Sequence, residues 1–170
     1  MPTPVEGTID QRGDMTVTSP AFDDGSRMPD YVGYANDNDN PALQITDVPA
    51  DAGSLVIVMD DPSAEDIVGH TWDHWFVFDI PPTETEIPRD WTPDTATAGY
   101  NDFVEQGYGG PSPPEGENQY VFKVFALDQM VEYPPYIRKQ RLGSAIEMDC
   151  EILAQTQLVG RYSADQGTIF

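Results

Sequence analysis

The chain has 170 residues, of which 39% are hydrophobic and 11% aromatic, which is sufficient for one folded domain with a hydrophobic core. This composition excludes a disordered acidic chain. Thirty acidic residues against eight basic ones give a formal net charge of −22, so the chain lacks the basic surface that binds nucleic acid. The sequence shows no membrane span and no signal-peptide pattern at its start. We therefore expect a cytoplasmic protein.

The acidic residues are scattered along the chain rather than gathered in blocks. The densest run, residues 36–40 (NDNDN), is short. A charge of this size repels itself in dilute buffer, whereas molar salt reduces the Debye length to roughly 3 Å and screens the repulsion. The pattern favours adaptation to a salt-rich cytoplasm over the alternative, an acidic surface that binds a basic partner.

The first part of the chain predicts short strands separated by turns. Residues 1–14 are polar, and we expect them to form a flexible N-terminal segment ahead of a single domain of residues 15–170. Residues 15–18 and 42–46 are short segments typical of strands, and turn signals lie between them.

Two apolar runs in the middle of the chain predict buried strands. Residues 55–59 (LVIVM) and 75–80 (WFVFDI) are too short for helices and are rich in β-branched or aromatic residues. The polar residues at the facing ends of these runs are Asp60, Asp61, His70 and His74. An acid beside an imidazole at a strand end indicates a candidate site, and a loop of solvated acids is the alternative in so acidic a chain.

The second half of the chain adds two strands and one helix. Residues 81–116 are dense in proline and glycine and predict a long connection, of a kind that is often functional. Residues 120–127 (YVFKVFAL) predict a central strand, because both faces are mostly apolar. Residues 137–148 predict a helix, and residues 151–162 fit a strand, with a helix as the alternative. Together the elements predict a mainly β fold, an antiparallel β-sandwich with one or two short helices.

Several segments resemble those of a known family. They are MTVTSPAFDDGSRMP, NPALQITDVP, LVIVMDDPSA, HTWDHWFVFDIP, YNDFVEQGYGGPSPPEGENQYVFKVFALD and LVGRY. In this order and spacing they resemble the bacterial and archaeal branch of the phosphatidylethanolamine-binding protein family (Raf kinase inhibitor protein-like). LVIVMDDPSA resembles the family's Asp-Pro-Asp-Ala-Pro motif, and GGPSPP resembles its Gly-Pro-x-Pro-Pro loop. The resemblance extends from about Met15 to Tyr162, nearly the whole chain.

The resemblance implies two antiparallel sheets and a small cavity that binds an anion such as phosphate or a phosphoryl headgroup. The residues that fall at the family's cavity positions are Asp61, Trp72, His74, Gly110, Pro111, Asn118 and Tyr120. His74 and the Tyr120 hydroxyl would donate to the anion, and Asp61 would hold the imidazole tautomer and raise its pKa. Gly110 would let backbone N–H groups approach the anion, and Trp72 would supply an apolar wall.

The chain also departs from the family pattern. Ser63 and Glu65 replace an aspartate and a proline of the motif, and Asn118-Gln119 replaces the usual His-Arg pair. Asn and Gln hydrogen-bond an anion without charge assistance, which is roughly half as strong per bond. Three alternatives follow: a weakened anion site, a site adapted to a less charged ligand, or a relict cavity.

Our interpretation is a non-catalytic protein that binds a small anionic ligand without a cofactor. One alternative is a regulator or inhibitor of a kinase or protease, with the proline-rich residues 111–117 as the contact surface. Another is a metal-dependent enzyme in which His70 and His74 bind the metal together with nearby aspartates. The sequence leaves open whether the protein forms a homodimer.

Overall fold

The structure, a computed structural model, describes residues 3–64 and 69–167. Its strands are β1 (Thr16–Thr18), β2 (Ser26–Arg27), β3 (Leu43–Thr46), β4 (Ser54–Asp61), β5 (Trp72–Ile80), β6 (Glu86–Ile87), β7 (Thr97–Ala98), β8 (Glu117–Leu127) and β9 (Ile152–Ser163). Helix α1 (Lys139–Asp149) lies between β8 and β9, and short 3₁₀ turns occupy Asp30–Val32, Pro62–Ala64 and Ala164–Gln166. Glu65, one of the positions that depart from the family pattern, lies outside the described residues.

The strands form two sheets. The larger has the order β2-β9-β8-β4-β5-β7, and the smaller has the order β1-β3-β6. The strand pairs are antiparallel apart from the two-residue pair of β2 and β9, which is parallel. The predicted mainly β sandwich-type fold is therefore confirmed, with one short parallel pair that strand periodicity does not reveal.

Strands β4 and β8 lie in the middle of the larger sheet, and both of its faces are covered. Leu55 and Ile57 of β4 pack in the core next to the smaller sheet, which we call the front core. Val56 and Val58 point the other way into a second core, the back core. Burial on both faces explains why these strands read as continuous apolar runs.

Helix α1 covers the back core through Leu142 and Ile146, which are fully buried. The helix predicted at residues 137–148 is confirmed, with its start two residues later. Residues 151–162 form strand β9 as predicted, and the helical alternative is wrong because this segment pairs with β8 along its whole length. No helix in the described part of the chain is long and apolar enough to cross a membrane.

The described part of the N-terminal segment packs against the larger sheet, whereas its polar composition predicts flexibility. Val5 is buried in the back core. The Lys123 ammonium donates to the carbonyl oxygens of Val5 and Gly7, at 2.7 and 2.6 Å. Arg12 exchanges backbone hydrogen bonds with Gln155 on β9. One apolar residue and the needs of a buried ammonium therefore hold this segment in place.

Candidate ligand-binding site

A cavity of about 320 Å³ lies at the end of the larger sheet where β4 stops and β5 and β8 begin. Five of the predicted site residues line it, namely Asp61, Trp72, His74, Asn118 and Tyr120. The other residues that line it are Ala64, Phe103, Ser112, Pro113 and Pro114. Polar side chains and aromatic rings from segments that are distant in sequence therefore meet in one cavity.

Strand geometry explains which polar residues reach the cavity. Successive side chains of a strand point to opposite faces, so Asp61 faces the cavity while Asp60 faces the back of the sheet. On β5 the register shifts, because Trp75 pairs with Met59 and Asp73 pairs with Asp60. His74 is therefore the extra residue of a bulge, which directs its side chain to the cavity.

His74 is almost fully buried, and the only described hydrogen bond of its side chain joins Nδ1 to the Gly109 carbonyl oxygen at 2.6 Å. A carbonyl oxygen accepts only, so Nδ1 carries the proton and Nε2 has the free electron pair of a neutral ring. Burial lowers the pKa of His74, and this effect outweighs the opposite influences of the Gly109 carbonyl and of Asp61. The predicted role of Asp61 in holding the tautomer is therefore wrong, because the Gly109 carbonyl holds it. Asp61 does raise the pKa of His74, but burial lowers it by more.

Asp61 is buried, and every group among the described residues that hydrogen-bonds to its side chain is neutral. Its Oδ1 accepts the Ser63 amide at 2.9 Å and the Ser63 hydroxyl, and its Oδ2 accepts the Asn118 side-chain amide at 2.8 Å. Two departures from the family pattern, Ser63 and Asn118, thus support the carboxylate directly. Gln119 is exposed and is not among the described residues that line the cavity, because it faces the other side of β8.

Aromatic rings form much of the cavity wall. Phe103 makes edge-to-face contacts with Trp72 and His74, at centroid distances of 5.4 and 5.8 Å. Tyr120 contacts His74 edge-to-face at 5.2 Å. Burial raises the pKa of the Tyr120 hydroxyl, the Asp61 carboxylate raises it further, and a hydrogen bond with Asn118 opposes the shift. The hydroxyl is therefore protonated at neutral pH.

Phe103 is the site residue that the sequence analysis missed. Its loop is organised by the buried Asn101, whose Oδ1 accepts the amides of Phe103 and Glu105 and whose Nδ2 donates to Gly107. The ring stacks on Tyr34 at a centroid distance of 4.1 Å. The sequence does contain a signal for this role, because an isolated aromatic residue in a polar, glycine-rich loop is seldom left without a packing partner.

Gly110 and Pro111 are buried beside the cavity but are not among the described residues that line it. The Gly110 amide donates to Asn38 Oδ1 at 2.7 Å, so it is not free to bind an anion as predicted. A Cβ at Gly110 would overlap the Val32 carbonyl oxygen. Glycine is thus needed here because two backbone segments come close together.

His70 and His74 belong to different cavities, which removes the basis for a shared metal site. His70 is exposed and lines a separate opening of about 820 Å³, together with Asp73, Asp102 and Arg138. The predicted pair of imidazoles therefore does not converge on one point.

One carboxylate cluster, formed by Glu6, Asp60 and Asp73, has the spacing of a metal site among the described residues. The Lys139 ammonium lies 2.9, 2.8 and 2.5 Å from these three carboxylates. It therefore supplies the positive charge that a metal would bring.

Comparison with known proteins identifies the family. The sequence profile described as phosphatidylethanolamine-binding protein matches residues 18–163. The chain belongs to the phosphatidylethanolamine-binding protein family. The match covers β1 to β9 apart from the first two residues of β1, and it includes every predicted site residue.

Relatives within the phosphatidylethanolamine-binding protein family cover nearly the whole chain. A UPF0098 protein from Methanothermobacter thermautotrophicus is 35% identical over 87% of this chain and 98% of its own. A UPF0098 protein from Aquifex aeolicus is 37% identical over 89% of this chain and 90% of its own. These names state no ligand or activity.

Solved structures of the phosphatidylethanolamine-binding protein family have the same fold. The crystal structure of a Chlamydia trachomatis homologue has a TM-score of 0.80 at 31% identity, covering 88% of this chain and 97% of its own. The Escherichia coli protein YbcL, described as a new member of the mammalian family, has a TM-score of 0.81 at 27% identity, covering 89% and 99%.

Proposed function

We propose that this protein is a non-catalytic binding protein and that the cavity next to Asp61 and His74 holds its small-molecule ligand. The observation that carries the proposal is the convergence of three strand ends and two loops on one concave site. A few placed polar groups within a largely apolar lining are typical of ligand pockets, and a volume of about 320 Å³ is at the lower end of their range.

Binding rather than catalysis fits the hydrogen bonds of the site. Activation of a nucleophile requires a base within hydrogen-bond reach of a hydroxyl or thiol. His74 bonds to a backbone carbonyl oxygen, and no described hydroxyl or thiol side chain hydrogen-bonds to its ring. Tyr120 contacts the ring through an edge-to-face packing arrangement.

The resemblance predicts an anionic ligand, such as phosphate or a phosphoryl headgroup, and the donors that the described lining residues offer such a ligand are neutral. The hydroxyls of Tyr120 and Ser112 are available in the lining. None of the described residues that line the cavity is Lys or Arg, and His74 is neutral near pH 7 because burial lowers its pKa. An anion would therefore bind without charge assistance and next to the Asp61 carboxylate.

Regulation of another protein is the second candidate. Ser112, Pro114, Glu115 and Gly116 are exposed at the edge of the cavity, so a partner protein has access to this loop. A pull-down at molar KCl tests this role: recovery of one partner that is lost when residues 112–116 are replaced supports it, and recovery of background proteins only contradicts it.

A screen of small polar fragments by two-dimensional NMR tests the ligand site. We expect saturable shifts centred on His74, Phe103 and Tyr120. Asn118→Phe should abolish them, because its ring fills the cavity. Gln119→Phe is the matched control, since it adds the same ring one residue along β8 on the opposite face. Fragments that never shift the cavity residues, or that bind Asn118→Phe as well as the wild type, would refute the proposal.

A further inference from the structure

We infer that the ligand of this cavity is a small organic cation, an ammonium group that carries apolar substituents, rather than an anion. The inference rests on the proposed function, because it names the class of ligand for the same site. Three features of the described residues support this inference: a buried carboxylate without a positively charged partner, a wall of aromatic rings and a neutral imidazole.

The first feature is the carboxylate of Asp61. Buried charges in proteins are usually paired with an opposite charge. Asp61 is 2% exposed, yet its described partners are the amide and hydroxyl of Ser63 and the side-chain amide of Asn118, all neutral. Asp60, its neighbour on the other face, instead contacts the ammonium groups of Lys123 and Lys139.

Neutral donors alone do not make a carboxylate a binding site, as Asp79 shows. Asp79 is also buried, and its two oxygens accept the backbone amides of Val131 and Glu132. Asp79 lines none of the described cavities. Asp61 differs because it borders a cavity, so a ligand can supply the missing positive charge there.

The second feature is the aromatic wall. The rings of Trp72, Phe103 and Tyr120 line the cavity and lie at edge-to-face angles to each other or to His74. The faces of aromatic rings attract cations, and cages of such rings recognise methylated ammonium groups. Pro113 and Pro114 add apolar surface that suits alkyl substituents on the nitrogen.

The third feature is the neutral imidazole of His74, which can accept a hydrogen bond from a ligand. The neutral imidazole of His74 has its proton on Nδ1, which leaves Nε2 as an acceptor. An acceptor and a carboxylate attract a donor or a cation and repel an anion. The formal net charge of −22 makes the potential around the whole protein favour cations as well.

Choline and its uncharged carbon isostere, 3,3-dimethyl-1-butanol, separate the effect of charge from that of shape. We would measure the dissociation constants of both, and of inorganic phosphate, by calorimetry at fixed KCl concentration. The inference predicts that choline binds at least about tenfold more tightly than the isostere, since charge is the only major difference between them. Phosphate should bind more weakly than choline.

Asp61→Asn is the matched variant, because it keeps the shape of the side chain and removes its charge. The ratio of choline affinity to isostere affinity should fall severalfold in this variant, because the carboxylate is lost while the aromatic rings remain, and binding of the isostere should persist. Persistence of the isostere also shows that the variant is folded. An unchanged ratio would overturn the inference.

The outcomes distinguish the two proposals. If the isostere or phosphate binds as tightly as choline in the wild type, the inference is wrong and the cavity remains a ligand site. If choline does not bind while fragments of the NMR screen do, the inference is again wrong and the proposed function stands. If no small molecule binds in either experiment, both are wrong.

Discussion

Replacing Asp60 by asparagine removes the central charge of a buried network and should destabilise the protein strongly. Asp60 Oδ2 lies 2.8 Å from Nζ of Lys123 and 2.8 Å from Nζ of Lys139, and all three side chains are at most 1% exposed. Lys139 retains Asp73 and Glu6 as partners in the variant. Within the described part of the chain, Lys123 retains only the carbonyl oxygens of Val5 and Gly7 as hydrogen-bond partners of its ammonium.

The magnitude follows from the loss of one partner of a buried ion pair. Such a loss typically costs about 3–5 kcal/mol, because the remaining charge is buried without compensation. Burial already lowers the pKa of Lys123, and the charge of Asp60 is the largest influence that raises it. A chain of this size loses about 2–4 °C of melting temperature per kcal/mol, so we expect a decrease of about 10 °C.

Urea denaturation and thermal melting of three variants measure this effect. Asp61→Asn is the matched control: its described partners are neutral, so it should cost no more than about 1–3 kcal/mol in hydrogen bonds. The double variant Asp60→Asn/Lys123→Met should recover part of the loss, since it also removes the unpaired ammonium. A cost for Asp60→Asn below about 1 kcal/mol, or no recovery in the double variant, would refute the reasoning.

Three further predictions concern packing, pH and salt. Gly110→Ala should destabilise the protein by about 1–3 kcal/mol or more in urea denaturation, because its Cβ overlaps the Val32 carbonyl; Gly167→Ala, with only ordinary contacts, should be near neutral, and equal costs would contradict this. Burial raises the pKa of Asp73 from 3.8 to about 6, so the folded state holds this proton more tightly and stability falls as pH rises through this range. From well below pH 3.8 to well above pH 6, the wild type should therefore lose about 3 kcal/mol in total relative to Asp73→Asn, and a constant difference would contradict it. The melting temperature should rise between low and molar KCl as acid–acid repulsion is screened, and a flat curve would show that the charge of −22 does not limit stability.

The regular elements of the larger sheet were predictable because their apolar runs are unusually clear. The runs at residues 55–59, 75–80 and 120–127 each lie within a longer strand, and the structure extends each strand into polar residues at the cavity end. Propensity does not predict this extension, because Asp60 and Asp61 are held in β4 by pairing with β5. The topology came from the family resemblance rather than from periodicity.

The candidate site was predicted at the level of residue identity but not of geometry. Five of the seven predicted residues line the cavity, yet the bulge that turns His74 towards it depends on the register of two strands. The partner of the imidazole is the Gly109 carbonyl, a backbone atom that side-chain patterns do not reveal. Gly110 was assigned to the ligand although it serves the close approach of the chain to Val32.

The buried ion network of Asp60, Lys123 and Lys139 has a partial signal in the sequence. Lys123 stands among apolar residues in a strand that was predicted to be central, and a buried lysine needs an acidic partner. Asp60 directly follows the neighbouring apolar run and faces the same side of the sheet as Lys123. The position of Lys139 and the course of the N-terminal segment were not predictable, because both depend on packing between distant parts of the chain.

We propose that the cavity next to Asp61 and His74 holds a small ligand with an ammonium group. The most direct measurement is an NMR experiment on the wild-type protein with choline, recording nuclear Overhauser effects from the N-methyl protons to the protein. We expect effects to the ring protons of Trp72, Phe103 and Tyr120, which are lost in Asn118→Phe and retained in Gln119→Phe. Saturating choline without contacts to these rings, or with contacts only elsewhere on the surface, would contradict it.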